Sequence, residues 1–156
     1  MIVQAGFDPG LGMDMHFMQR ADEDGKPTSG LETVADQIAA LSGAPMNEQI
    51  LGLQEALLPR EEMLKRFDEL HAFWRTGDAA AIERLMVDEL MAKTPVSGKL
   101  LNEDRNRRWV PQIEALLAGD EDTLVIVGAL HLVGDVGLVE LLRAGGYSVE
   151  RVDPTP

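Results

Sequence analysis

The sequence predicts a helix-rich α/β fold: a short, mostly parallel sheet with a C-terminal βαβ unit and an inserted helical hairpin. Three observations carry that expectation. Between residues 59 and 92, apolar side chains recur at helical spacing between clear start and stop residues. Thr123-Leu-Val-Ile-Val127 is an unbroken β-rich run, the pattern of a strand buried on both faces. A helical segment over 134–144 and the alternating run Tyr147 to Val152 follow it. Strand, helix and strand in that order make a right-handed crossover between parallel strands.

Taken in order, Asp8-Pro9-Gly10 reads as a turn. Gly12 to Phe17 alternates weakly, so it is either a short strand or the opening of a helix that runs to Asp24 and stops at Gly25-Lys26-Pro27. Thr28 to Leu31 is a candidate short strand. Thr33 is a candidate N-cap with Asp36 as the partner of a capping box, and Val34, Ile38 and Leu41 form the apolar face that follows. Ser42 to Pro45 ends that helix. Pro59 suits a first helical position, Glu61 and Glu62 favour the helix dipole, and Met63, Phe67, Leu70 and Trp74 make one stripe. Thr76-Gly77 closes it. Asp78 caps a second helix with Ile82, Leu85, Met86 and Leu90 as its buried face. The two form a hairpin over 59–92, either a plain structural hairpin or an insertion over the sheet. Thr94 to Gly98 reads as a loop. Asn102 or Asp104 caps the next helix, in which Trp109, Ile113, Leu116 and Leu117 face inward and Pro111 introduces a kink. Val139 and Leu142 are the inward positions of the helix over 134–144, which stops at Gly145-Gly146.

With 156 residues the chain is the size of one domain, 1–156, and long enough to bury roughly 70% of its unfolded surface. The net charge is −13, from 27 acidic and 14 basic residues. That balance argues against nucleic acid and anionic membranes, which need a basic footprint. There is no cysteine, so disulfides, thiolate metal sites and cysteine nucleophiles are excluded. No segment approaches the roughly 20 apolar residues of a membrane span. The start, Met1 to Ala5, lacks a basic region and a long apolar stretch, so no signal peptide is expected in the sequence as given. Periplasm and cytoplasm both stay open.

Several residues have the chemistry of a site. His131 follows the apolar run in Val127-Gly128-Ala129-Leu130-His131, at what would be the carboxyl end of a strand, where open α/β sheets bind ligands. An imidazole there is a metal ligand or general base, or else a structural side chain. Asp14 and His16 share a face if their segment is extended, and would then suit a metal or each other; on a helix they are a cap and a surface residue. Glu32 is either a ligand or base, or a first-turn acid. Arg105, Arg107 and Arg108 near a helix start oppose the dipole, which leaves room for one of them to clamp a carboxylate or an oxyanion. The sequence has no Walker, HExxH, GxSxG or GxGxxG motif.

Arg105-Asn106-Arg107-Arg108-Trp109, then Leu124 to Gly134 with its GxxH element Gly128 to His131, then Gly137-Leu138, Leu141-Leu142-Arg143 and Gly146-Tyr147, resemble the C-terminal portion of the TraB/GumN family, within the TIKI-like superfamily. Gly12 to Phe17 resembles that family's glycine–aspartate segment, and Gly30-Leu31-Glu32-Thr33 with Gln37 the segment after it. The resemblance implies a TIKI-type α/β domain derived from a metal-dependent hydrolase of peptidase or esterase type, acting on a peptide or small-molecule substrate. It further implies that His131 and Glu32, joined by Asp14 or His16, hold a divalent manganese, cobalt or zinc ion, and that Arg105 steadies the developing anion. The rival reading is a non-catalytic binding or regulatory module that keeps the fold. The first GxxH element expected early in a full-length member has no counterpart here. The expectation is therefore a truncated or naturally short portion, incomplete as an enzyme, whose open sheet edge invites homodimerisation.

Overall fold

The computed structural model describes residues 3–87 and 91–152. Its elements in chain order are α1 (Met13–Glu23), α2 (Val34–Ser42), α3 (Met46–Ala56), α4 (Arg60–Thr76), α5 (Ala79–Met86), α6 (Pro95–Gly98), α7 (Asp104–Leu117) and α8 (Leu138–Ala144). Short 3-10 turns stand at Val3–Ala5, Pro9–Leu11 and Ala129–His131, and a π-helical segment, Lys99–Glu103, joins α6 to α7.

Among the described residues there is no β-strand, which overturns the α/β expectation with its parallel sheet, its βαβ unit and its open sheet edge. A strand needs a second segment to complete its ladder of hydrogen bonds. β-branched composition suits a pleated surface but does not supply that partner. Residues 122–128 and 147–152 flank α8 and share no backbone hydrogen bond with each other. Val125 and Val127 pack instead against the side-chain cluster of Trp109, Ile113 and Leu138, together with Leu31, Val110 and Leu142. Thr28 to Leu31 is likewise irregular, and Gly12 to Phe17 lies at the start of α1 rather than in a strand.

The helix signals fare better. Thr33 and Asp36 close a full capping box: the Asp36 amide donates to Thr33 Oγ1 at 3.2 Å and the Thr33 amide to Asp36 Oδ2 at 2.9 Å. α4 ends at Gly77, whose left-handed φ of 66° lets the chain reverse, and Asp78 Oδ1 accepts from the Ala81 amide to start α5. Ala81 and Ile82 are buried, while Trp74 at the end of the α4 stripe is exposed. The inward positions expected at Met86 and Leu90 lie outside the described side chains. Residues 95–98 of the stretch expected as a loop are helical, so the rod runs without a break from Pro95 through the π segment to Leu117 and needs no cap at Asn102 or Asp104. Trp109 and Ile113 face inward as expected; Leu116 and Leu117 are exposed.

α2 and α3 turn their large apolar side chains outward. On α2, Val34, Ile38 and Leu41 are exposed and Ala40 is buried; on α3, Met46, Ile50, Leu53 and Leu57 line the exposed side while Glu48 is buried. The accessible surface is 11402 Å². A compact monomer of this mass would show about 7,800 Å², so much of the apolar surface has no cover within the chain.

Candidate functional site

The site is built on the rod from α6 to α7. Its start is pinned from a distance by Glu48, whose carboxylate accepts from the Val96 amide (3.1 Å), the Ser97 amide (2.6 Å) and Ser97 Oγ (2.6 Å). Burial pushes the Glu48 carboxyl up, but these hydrogen bonds outweigh it and hold it below its ordinary range. Further on, Asn102, Asn106, Trp109 and Ile113 repeat at helical spacing and form the buried stripe of the rod. Two amides thus occupy positions that an ordinary amphipathic helix fills with apolar residues.

His131 lies against that stripe. It closes the 3-10 turn Ala129–His131, its amide donating to Gly128 O at 2.9 Å, and its ring packs on Trp109 with centroids 4.6 Å apart. Gly134 takes the chain away from the site with φ 76°, where a Cβ would meet Glu83 Oε1 at 3.0 Å. No strand presents His131; a 3-10 turn does, held against the rod by Asn102 and Asn106.

The hydrogen bonds assign the ring's proton. Asn106 Nδ2 donates to Asn102 Oδ1 (2.9 Å) and to Val136 O (2.8 Å), which uses both its hydrogens and turns Oδ1 toward His131 Nδ1 at 2.7 Å. Nδ1 therefore carries the proton and Nε2 the lone pair. Asn102 Nδ2 in turn donates to Leu130 O at 2.9 Å, which fixes the turn that bears the histidine. On the other side of the ring, Arg105 Nη1 lies 3.2 Å from Nε2 and donates to it. Burial foremost, then the Arg105 charge, push the His131 imidazole down to about 4, against an opposing pull from Glu32. The imidazole is neutral at neutral pH.

Glu32 reaches the same place from far away in the sequence. Leu31 packs in the core and its carbonyl accepts from Gln112 Nε2 at 2.9 Å, which holds the segment against α7. Glu32 then meets Arg105 in a two-pronged pair, Nη2 to Oε1 at 2.6 Å and Nε to Oε2 at 3.0 Å. The pair is largely buried, with 8% of the Glu32 side chain and 19% of the Arg105 side chain exposed. The Arg105 hydrogen bonds hold the Glu32 carboxyl below its ordinary range, against desolvation and with help from Gln37 and Arg108. Arg105 Nη1 also donates to Leu101 O at 3.0 Å, and the guanidinium lies 4.7 Å from the Trp109 ring centre.

Of the residues picked out in the sequence, Glu32, Arg105 and His131 come together. Asp14 and His16 do not join them: both are exposed on α1, and an i, i+2 pair on a helix does not share a face. Arg107 pairs with Glu103 on the surface. Among the described residues no three histidine, cysteine, aspartate or glutamate side chains converge as a metal site. Glu32 and His131 Nε2 share Arg105 as a partner and both face it. The buried indole Nε1 of Trp109 has no hydrogen-bond partner, and as a donor it offers nothing to a cation. The residues sequence reasoning passed over are Asn102, Asn106 and Glu48; the readable signal was an amide pair four apart on the same stripe as Trp109 and Ile113.

Comparison with known proteins finds relatives of the chain. The model of the TraB/PrgY/gumN family matches residues 1–151. The chain is 24% identical, over 168 aligned positions, to metalloprotease TIKI2 of Danio rerio; the match takes in 91% of the chain and 32% of that protein. It is 23% identical to metalloprotease TIKI2 of Xenopus tropicalis, covering 88% of the chain and 31% of that protein. The chain thus spans about a third of the length of these curated relatives. No solved structure matches it. Among the described residues no helix is long and apolar enough to cross a membrane.

Proposed function

Because the chain belongs to the TraB/PrgY/gumN family, we propose that it is a domain of hydrolase origin, of the peptidase or esterase kind, whose site in this chain is the Glu32–Arg105–His131 cluster. The observation that carries the reading is the neutral His131, held by Asn106 with its Nε2 lone pair toward a guanidinium and a carboxylate from distant segments. Once a substrate draws Arg105 Nη1 off Nε2, such an imidazole can take a proton there from a water attacking a carbonyl, and its low proton affinity lets it give that proton to the leaving group. Arg105 can donate to the oxyanion that forms, with Glu32 keeping its charge in place. Peptides and small esters are the substrate classes that this chemistry fits.

The metal that the family resemblance implies fits this chain poorly. A catalytic zinc site takes three protein ligands and a water. Here the candidate donors are the Glu32 carboxylate, His131 Nε2 and the Leu101 carbonyl, and all three are engaged by Arg105. A dication beside a guanidinium meets about 4 kcal/mol of repulsion for each unit of its charge at roughly 4 Å and an effective dielectric near 20. The chemistry open to the cluster as it stands is that of the Glu32, Arg105 and His131 side chains.

The reading is tested by assaying the purified chain on fluorogenic peptides and nitrophenyl esters, with and without added divalent ions. Hydrolysis that falls by about 100-fold in His131→Ala supports it. No turnover by the wild type, or turnover indifferent to that substitution, removes it in favour of a non-catalytic binding module. The closed state of Arg105, with both neighbouring acceptors satisfied, is the observation on the side of that second reading.

A further inference from the structure

We propose that Arg105 is the resident cation of this cluster, occupying the place that a divalent ion would need between Glu32 and His131. The inference concerns the same site as the hydrolase reading and stands whether or not the chain cleaves anything. Four acceptors from three separate parts of the chain converge on one guanidinium: both Glu32 oxygens at 2.6 and 3.0 Å, Leu101 O at 3.0 Å and His131 Nε2 at 3.2 Å. The Trp109 ring, 4.7 Å away, adds a further contact that suits a cation. Carboxylate, carbonyl and imidazole nitrogen are also the donors that manganese, cobalt or zinc would take. With the guanidinium in place they stand 2.6–3.2 Å from its nitrogens, and only in its absence could they draw in to the roughly 2.0–2.2 Å that a small ion needs. The relay from Asn102 through Asn106 keeps the Nε2 lone pair directed at the fork, so the cluster is complete with the arginine in it.

Two consequences separate this arrangement from a metal centre awaiting its ion. The wild type takes up no divalent ion through His131. Removing the guanidinium leaves a carboxylate, an imidazole and a carbonyl facing one vacancy, which then accepts one. The experiment titrates cobalt(II) and zinc into the wild-type chain, Arg105→Ala, and Arg105→Ala with His131→Ala, by calorimetry and thermal melting. The expected result is that the wild type shows only the weak binding of its acidic surface. Arg105→Ala melts lower, gains a site at least about tenfold tighter and is stabilised by the ion. The double variant loses that site. The ring nitrogen resonances of His131 in the wild type provide a reading that does not depend on the variants folding, and zinc leaves them unmoved. A His131-dependent metal site in the wild type overturns the inference and leaves the hydrolase reading standing. A folded Arg105→Ala that gains no His131-dependent site also overturns it. Hydrolysis by the wild type is read separately, in chelator, and bears only on the hydrolase reading.

Discussion

Among the described residues Asn106 is the side chain most completely withdrawn from solvent, at 0% exposure, and all its polar atoms are used. It sets which nitrogen of His131 bears the proton, so it positions the histidine without belonging to the reacting groups. Asn106→Ala leaves the His131 Nδ1–H, Asn102 Oδ1 and Val136 O without their partner. A cost of about 2–3 kcal/mol follows from the loss of buried hydrogen bonds. Urea denaturation would read it as a lower midpoint with an unchanged slope. The residues of the cluster were legible unevenly. Arg105 and His131 stand out because a cation near a helix start and an imidazole after an apolar run each need a reason. Glu32 reads equally well as a first-turn acid, and only the folded chain shows its partner. Asn102 and Asn106 are of a type mostly found at surfaces, so nothing short of their place on the Trp109 stripe marks them.

At the scale of elements, signals confined to one helix could be read and signals that need a distant partner could not. The capping box at Thr33, the stop at Gly77 and the cap at Asp78 depend on neighbours within a turn, and all are present. The run Thr123 to Val127 was expected as a strand because its composition fits one, but pairing is a property of two segments. The loop expected at 94–98 became helix over 95–98 because Glu48, far away in sequence, satisfies its first amides. α3 has no counterpart among the predicted elements, although Met46, Ile50, Leu53 and Leu57 have helical spacing. Its orientation is inverted: the spaced apolar residues face out and Glu48 faces in. Leu53 and Leu57 are 61% and 74% exposed. Leu53→Lys and Leu57→Lys are accordingly expected to change stability by no more than about 0.5 kcal/mol. A core leucine cut back to alanine typically costs about 2–5 kcal/mol. Urea melts of the two variants would tell these positions apart, and a loss in the core range would mean that the stripe is covered.

For the whole molecule, a small core around Trp109 holds together a chain that leaves much apolar surface bare, so the buried polar cluster carries an unusual share of the fold's definition. Its dependence on acid has a definite sign. In the unfolded chain His131 takes a proton as pH falls through about 6.5; in the folded chain it does so only near about 4. Between those values the unfolded state binds more protons, so stability is complete above the upper value and declines as pH falls through the window. Glu32 acts in the same direction lower down, since its folded carboxyl is held below the ordinary value by Arg105. Glu32, Arg105 and His131 form one closed cluster around a neutral imidazole. The most direct measurement is an NMR titration of the His131 ring nitrogens in the folded chain. A proton on Nδ1, a bare Nε2 and no change of charge until pH falls to about 4 are expected. Titration near 6.5, or a proton resting on Nε2 at neutral pH, would contradict that arrangement.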